Sequence, residues 1–508
     1  MNSRNRAGKA GRAGRTGTLL ALVIATSCAH PAPPAHPAPP APPALVDLRH
    51  DLDAILSDPA LVHSTWGVLV RSLTKNETLY SVNPQKLLMP ASNMKIVTLA
   101  ATAERLGWDY RFETSVITAG HLGDDGSLEG DLIVRGSGDP SIGSQSNDPM
   151  SVLKTWADAL WNAGIRRVNG SVIGDDNAFD DDTLGAGWAW DYLGYGYAAP
   201  VGALQYHEDA MDLVVRAGER AGASVQLELR PADCGLELIN RIVTAPEGTA
   251  PSVEFRRLPG SSRLEVAGSV PAGAAEFTET VAVDNPTECF ARAFRTALLA
   301  RGIDVRGPAL DIDALPSLPD TSGARVLVSY LSPPLSDLAT VLMKISQNLY
   351  AETFLKTLGR REGVGTAEGG RKVVREVLDS WGISPDDLVM YDGSGLSRYN
   401  YVTADMIVGI LRHLYGDPRH RDPFMATLPI AARDGSLANR FKGTTAEGNV
   451  LAKTGSIANV RSLSGYVRTT GGEWLAFSIF ANHFNAPQAS IDAFTDRIVE
   501  RLALLQRK

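Results

Sequence analysis

The chain has 508 residues, enough material for about three domains. Hydrophobic residues make up 44% and charged residues 21%, proportions that allow a substantial core and exclude a wholly disordered chain, a collagen-like fibre and a coiled coil. Residues 1–27 hold five basic and no acidic residues, so the remaining 44 basic and 57 acidic residues give the rest a net charge of −13. This charge opposes general nucleic-acid binding, and we expect no nucleic-acid partner.

The amino-terminal segment has the pattern of an export signal. Its basic residues are followed by an apolar run at 19–25 and then by small residues, and that run is too short to span a bilayer. We therefore predict an export signal at 1–29 and a periplasmic or other extracytoplasmic location. Cys28 stands where a bacterial lipoprotein signal places its lipidated cysteine, so the alternatives are lipid attachment at Cys28 and simple cleavage nearby.

A proline-rich segment follows. Eight of the thirteen residues at 31–43 are proline, a composition that favours extended polyproline conformations and cannot pack as a core. We predict a linker at 30–44, either a stalk that holds the folded body away from a membrane or wall or a passive connection.

The folded body is predicted to begin with strands and a helix. Residues 65–82 alternate in polarity around Asn76, which predicts a hairpin. Apolar residues recur at helical spacing from Ile96 to Ala103, and the pattern ends at Gly107. From about 114 to 314, short β-rich runs separated by Gly, Asp and Pro predict a separate β-rich region.

Helical and strand patterns return in the last third of the chain. Helices are predicted at 335–358, interrupted near Ser346, and at 403–414; strands are predicted at 449–453, 460–468 and 473–480, before a closing helix at 489–506. Strands and helices at both ends, with β-rich material between them, predict a discontinuous α/β (α+β) domain.

Ser92 and Lys95 are the first candidates for chemistry. They lie three residues apart at the start of the predicted helix, so they share one face and can meet. A serine hydroxyl needs a base, and a lysine serves as one when burial lowers its pKa. Ser72 to Lys75 and Ser151 to Lys154 have the same spacing, but we predict a surface strand for the first and a helix N-cap for Ser151.

Two further motifs accompany this pair. Ser346 and Asn348 lie at the predicted helix interruption, where they offer a hydroxyl for proton relay and an amide for a substrate carbonyl, although helix capping would also explain them. Lys453 and Thr454 could grip a terminal carboxylate, and Gly455 would let a substrate backbone approach closely.

Together these motifs resemble the three-part signature of penicillin-recognising serine enzymes. The chain more widely resembles the low-molecular-mass penicillin-binding proteins of the D-alanyl-D-alanine carboxypeptidase/endopeptidase family with a large insertion. The resembling stretches are MPASNMKIVTLAAT, LIVRGSGDPS, GWAWDYLGYGYAAPVGAL, LSPPLSDLATVLMKISQNLYAETFLKTLG, YDGSGLSRYN and LAKTGSIANVRSLSGYV. The separation of 254 residues from Ser92 to Ser346 disfavours a compact β-lactamase.

The resemblance implies a fold. It places a discontinuous transpeptidase/β-lactamase-like domain, with an antiparallel sheet and helices, at 45–113 and 315–508. It places two β-rich domains within 114–314, the inner one at about 130–205.

The resemblance also implies roles. Ser92 would be acylated, Lys95 would take its proton, and Ser346 with Lys453 would pass a proton to the departing D-alanine. Asn348 would orient the peptide.

Other groups would bind the substrate. Backbone N–H groups of Ser92 and Ser456 would form the oxyanion hole, and Thr454 and Ser456 would hold the terminal carboxylate. Arg398 would approach the acidic end of the peptide stem or form a surface salt bridge. Asp175 would face the stem's amine or stabilise a turn.

Cys234 and Cys289 are the remaining cysteines. In an exported protein they are either a disulfide or two separately buried thiols. Their spacing gives no Cys-x-x-Cys motif, and His207-Glu208 lacks the second histidine of a zinc-protease helix, so we expect no metal or cofactor.

The expected function is a serine D-Ala-D-Ala carboxypeptidase that acts on peptidoglycan stem peptides, is acylated by β-lactams, and has DD-endopeptidase action as a further activity to test. The alternatives are a catalytically slow cell-wall-binding or scaffolding protein and a β-lactamase or esterase.

Overall fold

A computed structural model describes residues 43–144, 146–230, 234–360 and 363–507. The predicted export signal, with Cys28, and the linker as far as residue 42 lie outside the described residues. Within the described ranges, every helix is too short or too polar to cross a membrane.

The helices are concentrated at the two ends of the described chain. They are α1 (Pro43–Leu56), α2 (Met94–Leu106), α3 (Ser151–Asn162), α4 (Pro286–Arg301), α5 (Leu335–Lys344), α6 (Asn348–Gly359), α7 (Ala367–Ser380), α8 (Ala404–Gly416), α9 (Arg421–Thr427) and α10 (Gln488–Ala503).

Strands occur throughout and are densest in the middle of the chain. They are β1 (Thr65–Ser72), β2 (Thr78–Val82), β3 (Glu113–Thr118), β4 (His121–Leu122), β5 (Ser127–Glu129), β6 (Leu132–Arg135), β7 (Arg167–Val168), β8 (Val172–Asp175), β9 (Ala210–Arg216), β10 (Gln226–Arg230), β11 (Glu237–Ala245), β12 (Ser252–Arg256), β13 (Arg263–Pro271), β14 (Phe277–Ala282), β15 (Asp304–Val305), β16 (Ala309–Asp311), β17 (Arg325–Leu331), β18 (Leu388–Val389), β19 (Tyr401–Val402), β20 (Val450–Ile457), β21 (Val460–Arg468) and β22 (Trp474–Asn482).

One antiparallel sheet is built from both ends of the chain. Its order is β2-β1-β22-β21-β20, so the predicted hairpin of β1 and β2 joins the three strands near the carboxyl end. Asn76, with φ of 51°, turns the chain between β1 and β2. The predicted mixed α/β fold with an antiparallel sheet is confirmed.

Helix α2 is buried in the core beside this sheet. Ten of its thirteen residues are buried, including Ile96 and Leu99, and they pack with Leu342 of α5, Phe354 of α6 and Ile407 of α8. This apolar environment fixes the helix that carries Lys95 and that directly follows the 3₁₀ turn bearing Ser92.

The middle of the chain forms further sheets. One has the order β16-β8-β6-β3-β17, and another has the order β15-β7-β5-β4. Strands between 210 and 282 form two more, β10-β9-β14 and β11-β13-β12. Residues 210–282 thus supply all the strands of these two sheets, and the inner unit expected at about 130–205 stays a prediction. Composition identifies short strands but does not identify their distant partners.

Cys234 and Cys289 are joined by a disulfide in the structure. Cys289 lies on α4 and Cys234 lies shortly before β11. The bond thus links the nested 210–282 segment to the helix that follows it.

Candidate active site

Ser92 and Lys95 meet at the start of α2. A 3₁₀ turn at Ala91–Asn93 leads directly into the helix, and Nζ of Lys95 lies 3.0 Å from Oγ of Ser92. The same Nζ donates to Oδ1 of Asn348 at 2.6 Å and to the carbonyl oxygen of Ser394 at 2.8 Å. The carbonyl oxygens of Asn348 and Ser394 therefore hold the amine against the serine hydroxyl.

Burial controls the charge of Lys95. The side chain is fully buried, and desolvation lowers its pKa to about 7 against the opposing effect of the nearby carboxylates Asp392 and Glu352. A substantial fraction of Lys95 is therefore neutral near pH 7, with a lone pair available to accept a proton.

Ser346 and Lys453 form a second serine–lysine contact. Nζ of Lys453 donates to Oγ of Ser346 and to the carbonyl of Thr454, both at 2.8 Å. Burial first, and the neighbouring Lys95 second, lower the pKa of Lys453 well below its usual value. Ser346 lies between α5 and α6 with a left-handed φ of 65°, as the predicted interruption of this helical segment requires.

The Asn348 side chain connects this site to the middle region of the chain. Its Oδ1 accepts from Lys95, and its Nδ2 donates to the carbonyl of Tyr197 at 2.7 Å. Both ends of the amide are thereby fixed in orientation.

Strand β20 passes close to the Ser92 turn at Gly455. A Cβ at this position would lie 2.1 Å from Oγ of Ser462, 2.8 Å from the carbonyl oxygen of Pro90 and 3.0 Å from the backbone nitrogen of Ser92. Nδ2 of Asn93 donates to the carbonyl of Lys453 at 3.0 Å and so also holds β20 close to the Ser92 turn. Only glycine fits here, which brings the backbone of β20 beside the Ser92 N–H.

The hydroxyls on either side of Gly455 have polar partners. Oγ1 of Thr454 donates to Oγ of Ser436 at 2.7 Å. Oγ of Ser456 accepts from Nη1 of Arg461, and Nη2 of Arg461 donates to Oε1 of Gln488. This guanidinium brings a positive charge next to Ser456 and also lies 3.5 Å from a carboxylate oxygen of Asp492.

A pocket of about 340 Å³ brings residues of the first two motifs together with Ser456, which directly follows Gly455. Its lining residues are Ser92, Tyr192, Tyr197, Ser346, Asn348, Gly395, Leu396, Ser456, Ile457, Ala458 and Gln488. Four of the predicted site residues thus share one cavity.

Arg398 and Asp175 occupy less direct positions. Nη1 of Arg398 donates to the carbonyl of Ala458 at 3.0 Å, which places it at the rim of the pocket. Asp175 does not line the pocket; its carboxylate accepts from Nε of Arg135 at 3.0 Å and from the backbone N–H of Asn177 at 3.3 Å.

The other two Ser-x-x-Lys matches have structural roles. Ser72 is buried and donates to Glu473, so the expectation of a surface position was wrong. Ser151 is the first residue of α3 after Met150 at the N-cap, which corrects the predicted cap, and Lys154 pairs with Asp148 at 2.7 Å.

Two buried carboxylates were missed. Glu352 accepts from the N–H of Ser394 at 2.7 Å and from the N–H of Gly393, while Asp392 accepts from Nε1 of Trp188 at 2.9 Å. Glu352 follows Asn348 by four residues on one helix, so its place on the same face was available from the sequence.

The fold and the site together define a serine peptidase of the penicillin-binding-protein class. Residues 48–503 match the family described as the D-Ala-D-Ala carboxypeptidase 3 (S13) family. The chain belongs to this family.

Known members and a solved structure agree with that assignment. The chain is 38% identical over 471 residues to a D-alanyl-D-alanine carboxypeptidase of Actinomadura sp. (strain R39), covering 90% of this chain and 85% of that protein. It is 27% identical to D-alanyl-D-alanine carboxypeptidase DacB of Haemophilus influenzae, covering 83% and 86%. The crystal structure of penicillin-binding protein 4 (dacB) from Haemophilus influenzae superposes with a TM-score of 0.78 at 25% identity, covering 91% of this chain and 99% of that one.

Proposed function

We propose that this serine D-Ala-D-Ala carboxypeptidase hydrolyses peptidoglycan stem peptides through an acyl-enzyme on Ser92. The observation that carries the proposal is the 3.0 Å contact between Oγ of Ser92 and the buried amine of Lys95. A buried lysine with a lowered pKa is the base that a serine nucleophile needs.

Acylation begins when Oγ of Ser92 bonds to the carbonyl carbon of the penultimate D-alanine and its proton passes to Lys95. Negative charge then develops on the carbonyl oxygen. The N–H groups of Ser92 and Ser456 stabilise that charge, and the close approach of Gly455 to Ser92 supports this pairing.

Departure of the leaving group needs a proton on its nitrogen. The C–N bond breaks as Ser346 donates its proton to that nitrogen, and Lys453 restores the proton to Ser346; the 2.8 Å Ser346–Lys453 contact supports this relay. Lys95 passes the proton taken from Ser92 to Lys453 and is then neutral again. When water attacks the ester, Lys95 takes a proton from that water and returns it to Oγ of Ser92 as the ester bond breaks. A cross-bridge cleaved at the same bond would make the enzyme a DD-endopeptidase as well.

Substrate binding uses groups that surround the reacting serine and lysine side chains. Thr454 and Ser456 hold the terminal carboxylate, aided by the charge of Arg461, and Asn348 orients the peptide. Arg398 reaches the acidic part of the stem from the rim of the pocket. The contacts of Asp175 with Arg135 and Asn177 favour its turn-stabilising alternative over contact with the stem's amine.

β-Lactams would acylate the same serine. The penicillin-binding protein 4 structure from Haemophilus influenzae has also been determined in complex with a β-lactam, and that chain superposes with a TM-score of 0.73. By analogy, Ser92 would open the ring amide, and the amine would stay tethered in the pocket.

Location and domain roles complete the proposal. We place the enzyme outside the cytoplasm, where its substrate lies, with 1–29 as the export signal and Cys28 as the attachment point if a lipid anchor is present. Residues 45–113 and 315–508 would form the catalytic domain, and 114–314 the inserted region.

Release of D-alanine from a stem peptide ending in D-Ala-D-Ala tests this function. The full chain should release D-alanine and its folded Ser92→Ala variant should not. A folded wild-type protein that binds peptidoglycan without release would favour the scaffolding alternative. Rapid turnover of penicillin without D-alanine release would favour a β-lactamase.

A further inference from the structure

A groove of about 570 Å³ lies between the β1–β2 hairpin, helix α8 and the segment that follows α7. None of its described lining residues belongs to the pocket at Ser92. The groove is therefore a separate space, and the acylation chemistry does not account for the charged groups that line it.

Two arginines lie at the hairpin end of this groove. Nη2 of Arg412 on α8 donates to Oδ1 of Asn76 at 2.6 Å, which fixes the guanidinium against the turn between β1 and β2. Burial first, and the charge of Arg71 second, lower the pKa of Arg412, while Asp405 opposes that shift. Neither arginine forms an ion pair with another described residue, and the buried Nε of Arg71 has no acceptor among them. Partly buried positive charge without a counter-ion is costly, and a bound anion would offset that cost.

Two aspartates lie at the other end of the groove. Asp405 is in the first turn of α8, and Asp387 directly precedes β18. Burial first, and the charge of Asp405 next, raise the pKa of Asp387. Within the described ranges neither carboxylate has an ion-pair partner. A cationic group bound beside them would relieve the repulsion between these like charges.

Helix α8 sets the distance between the two ends. Asp405 and Arg412 are seven residues apart, so they share one face and their Cα atoms are about 10.5 Å apart along the helix axis. Gly409 stands between them on that face, where a Cβ would meet only Ile383, at 3.5 Å. An extended peptide covers about 3.3–3.6 Å per residue, so two or three residues span the gap.

Aromatic rings border the same groove. The ring of Trp381 stacks on that of His413 with their centroids 4.0 Å apart, and Tyr415 lies one turn beyond Arg412 on α8. These rings offer apolar surface to small side chains between the two charged ends.

We propose that this groove, named the α8 groove, binds a peptide of two or three residues with both termini free, its carboxylate at the two arginines and its ammonium group at the two aspartates. The peptide lies over Gly409, where the helix presents no side chain. Each terminus meets the charge of opposite sign that the protein itself leaves unpaired. Because no bond is made or broken, the proposal is independent of the acyl-enzyme at Ser92.

Blocking one terminus at a time tests the two ends of the groove. Isothermal titration calorimetry of the purified full chain measures the binding of L-Ala-L-Ala-L-Ala, of its N-acetyl form, of its C-terminal amide and of free L-alanine. The same titrations are made with Arg412→Gln and Asp405→Asn. Arg375→Gln is the matched control, since Arg375 is an exposed arginine on α7 that does not line the groove. Thermal unfolding of each variant shows whether it is folded.

The unblocked tripeptide should bind the wild type, and either blocked form should bind at least about tenfold more weakly because it loses one charge-assisted contact. Arg412→Gln should also bind more weakly and should no longer distinguish the free carboxylate from the amide. Asp405→Asn should no longer distinguish the free amine from its acetyl form, and Arg375→Gln should match the wild type.

Three results would overturn the proposal. The first is no binding of the tripeptide to the wild type at millimolar concentration. The second is equal binding of the blocked and unblocked peptides to the wild type, a comparison that does not depend on the folding of any variant. The third is binding of free alanine as tight as that of the tripeptide, which would show that the distance between the two ends is not used.

Discussion

Glu352 and Lys95 bind the two backbone polar groups of Ser394, its N–H and its carbonyl. The carboxylate of Glu352 accepts from the Ser394 N–H at 2.7 Å, and Nζ of Lys95 donates to the Ser394 carbonyl at 2.8 Å. All three residues are buried. The position of the amine beside Ser92 therefore depends on a carboxylate on α6, in addition to the helix that carries Lys95.

Removing that carboxylate should destabilise the enzyme and slow its acylation. Glu352→Ala leaves the N–H groups of Gly393 and Ser394 buried without their acceptor, at about 1–3 kcal/mol for each orphaned group. Glu352→Gln keeps one acceptor oxygen and should lose less. Urea unfolding and the rate of penicillin acylation measure the two effects, and an alanine variant as stable and reactive as wild type would contradict this role.

The acylation rate should rise with pH. Below a pKa of about 7 Lys95 is an ammonium ion that cannot accept the Ser92 proton, so the rate should fall about tenfold per pH unit on the acid side. Lys95→Arg keeps a positive charge that does not dissociate, so acylation should drop by at least a thousandfold at every pH. Stopped-flow acylation from pH 5 to 9 measures the profile; a flat wild-type profile would contradict Lys95 as the base.

The same pKa has a consequence for stability. The folded-state pKa lies below the unfolded value of about 10.4, so the unfolded chain binds more protons between these two values. The cost of burying Lys95 is therefore full below pH 7 and declines as the pH rises towards about 10. The free energy of unfolding, measured as a function of pH in wild type and in Lys95→Met, should show this gain in stability between pH 7 and about 10 only in wild type. Identical slopes over that range would contradict it.

The single substitution Gly455→Ala should be sufficient to inactivate the site. The added methyl would press on Ser462, Pro90 and the Ser92 nitrogen, which moves β20 away from the nucleophile. We expect a loss of at least a hundredfold in acylation. Gly416→Ala is the control because its Cβ would meet no atom within 4 Å, and it should behave as wild type; full activity of Gly455→Ala would show that the close approach is dispensable.

The disulfide should contribute to stability and leave the chemistry unchanged. Cys234 and Cys289 are 55 residues apart, and a cross-link closing such a loop is worth about 4 kcal/mol in the chain-entropy model. A Cys234→Ala/Cys289→Ala variant should have a lower Tm and a normal acylation rate. An unchanged Tm, or a loss of acylation in the folded variant, would contradict this separation.

The sequence predicted the local elements and motifs well because each depends on nearby residues. The β1–β2 hairpin follows from alternation around Asn76, and the break at Ser346 follows from the end of one helical pattern and the start of another. Ser92 and Lys95 meet because one helical turn separates them.

The remaining features depend on contacts between distant residues, which a single sequence leaves open. The pairing of β8 with β16 joins residues 172–175 to 309–311, which are far apart in the sequence. Tyr197 reaches Asn348 through a backbone carbonyl, a contact that requires no particular side chain. The residues at 207–209 have left-handed φ values although none of them is a glycine, so the sequence does not predict this conformation.

Intact mass spectrometry of the purified chain after incubation with benzylpenicillin, followed by peptide mapping, tests the central claim most directly. The account predicts one equivalent of covalent adduct on Ser92 and none in a folded Ser92→Ala variant. An adduct on another residue, or persistence of the adduct in Ser92→Ala, would contradict the assignment of Ser92 as the nucleophile.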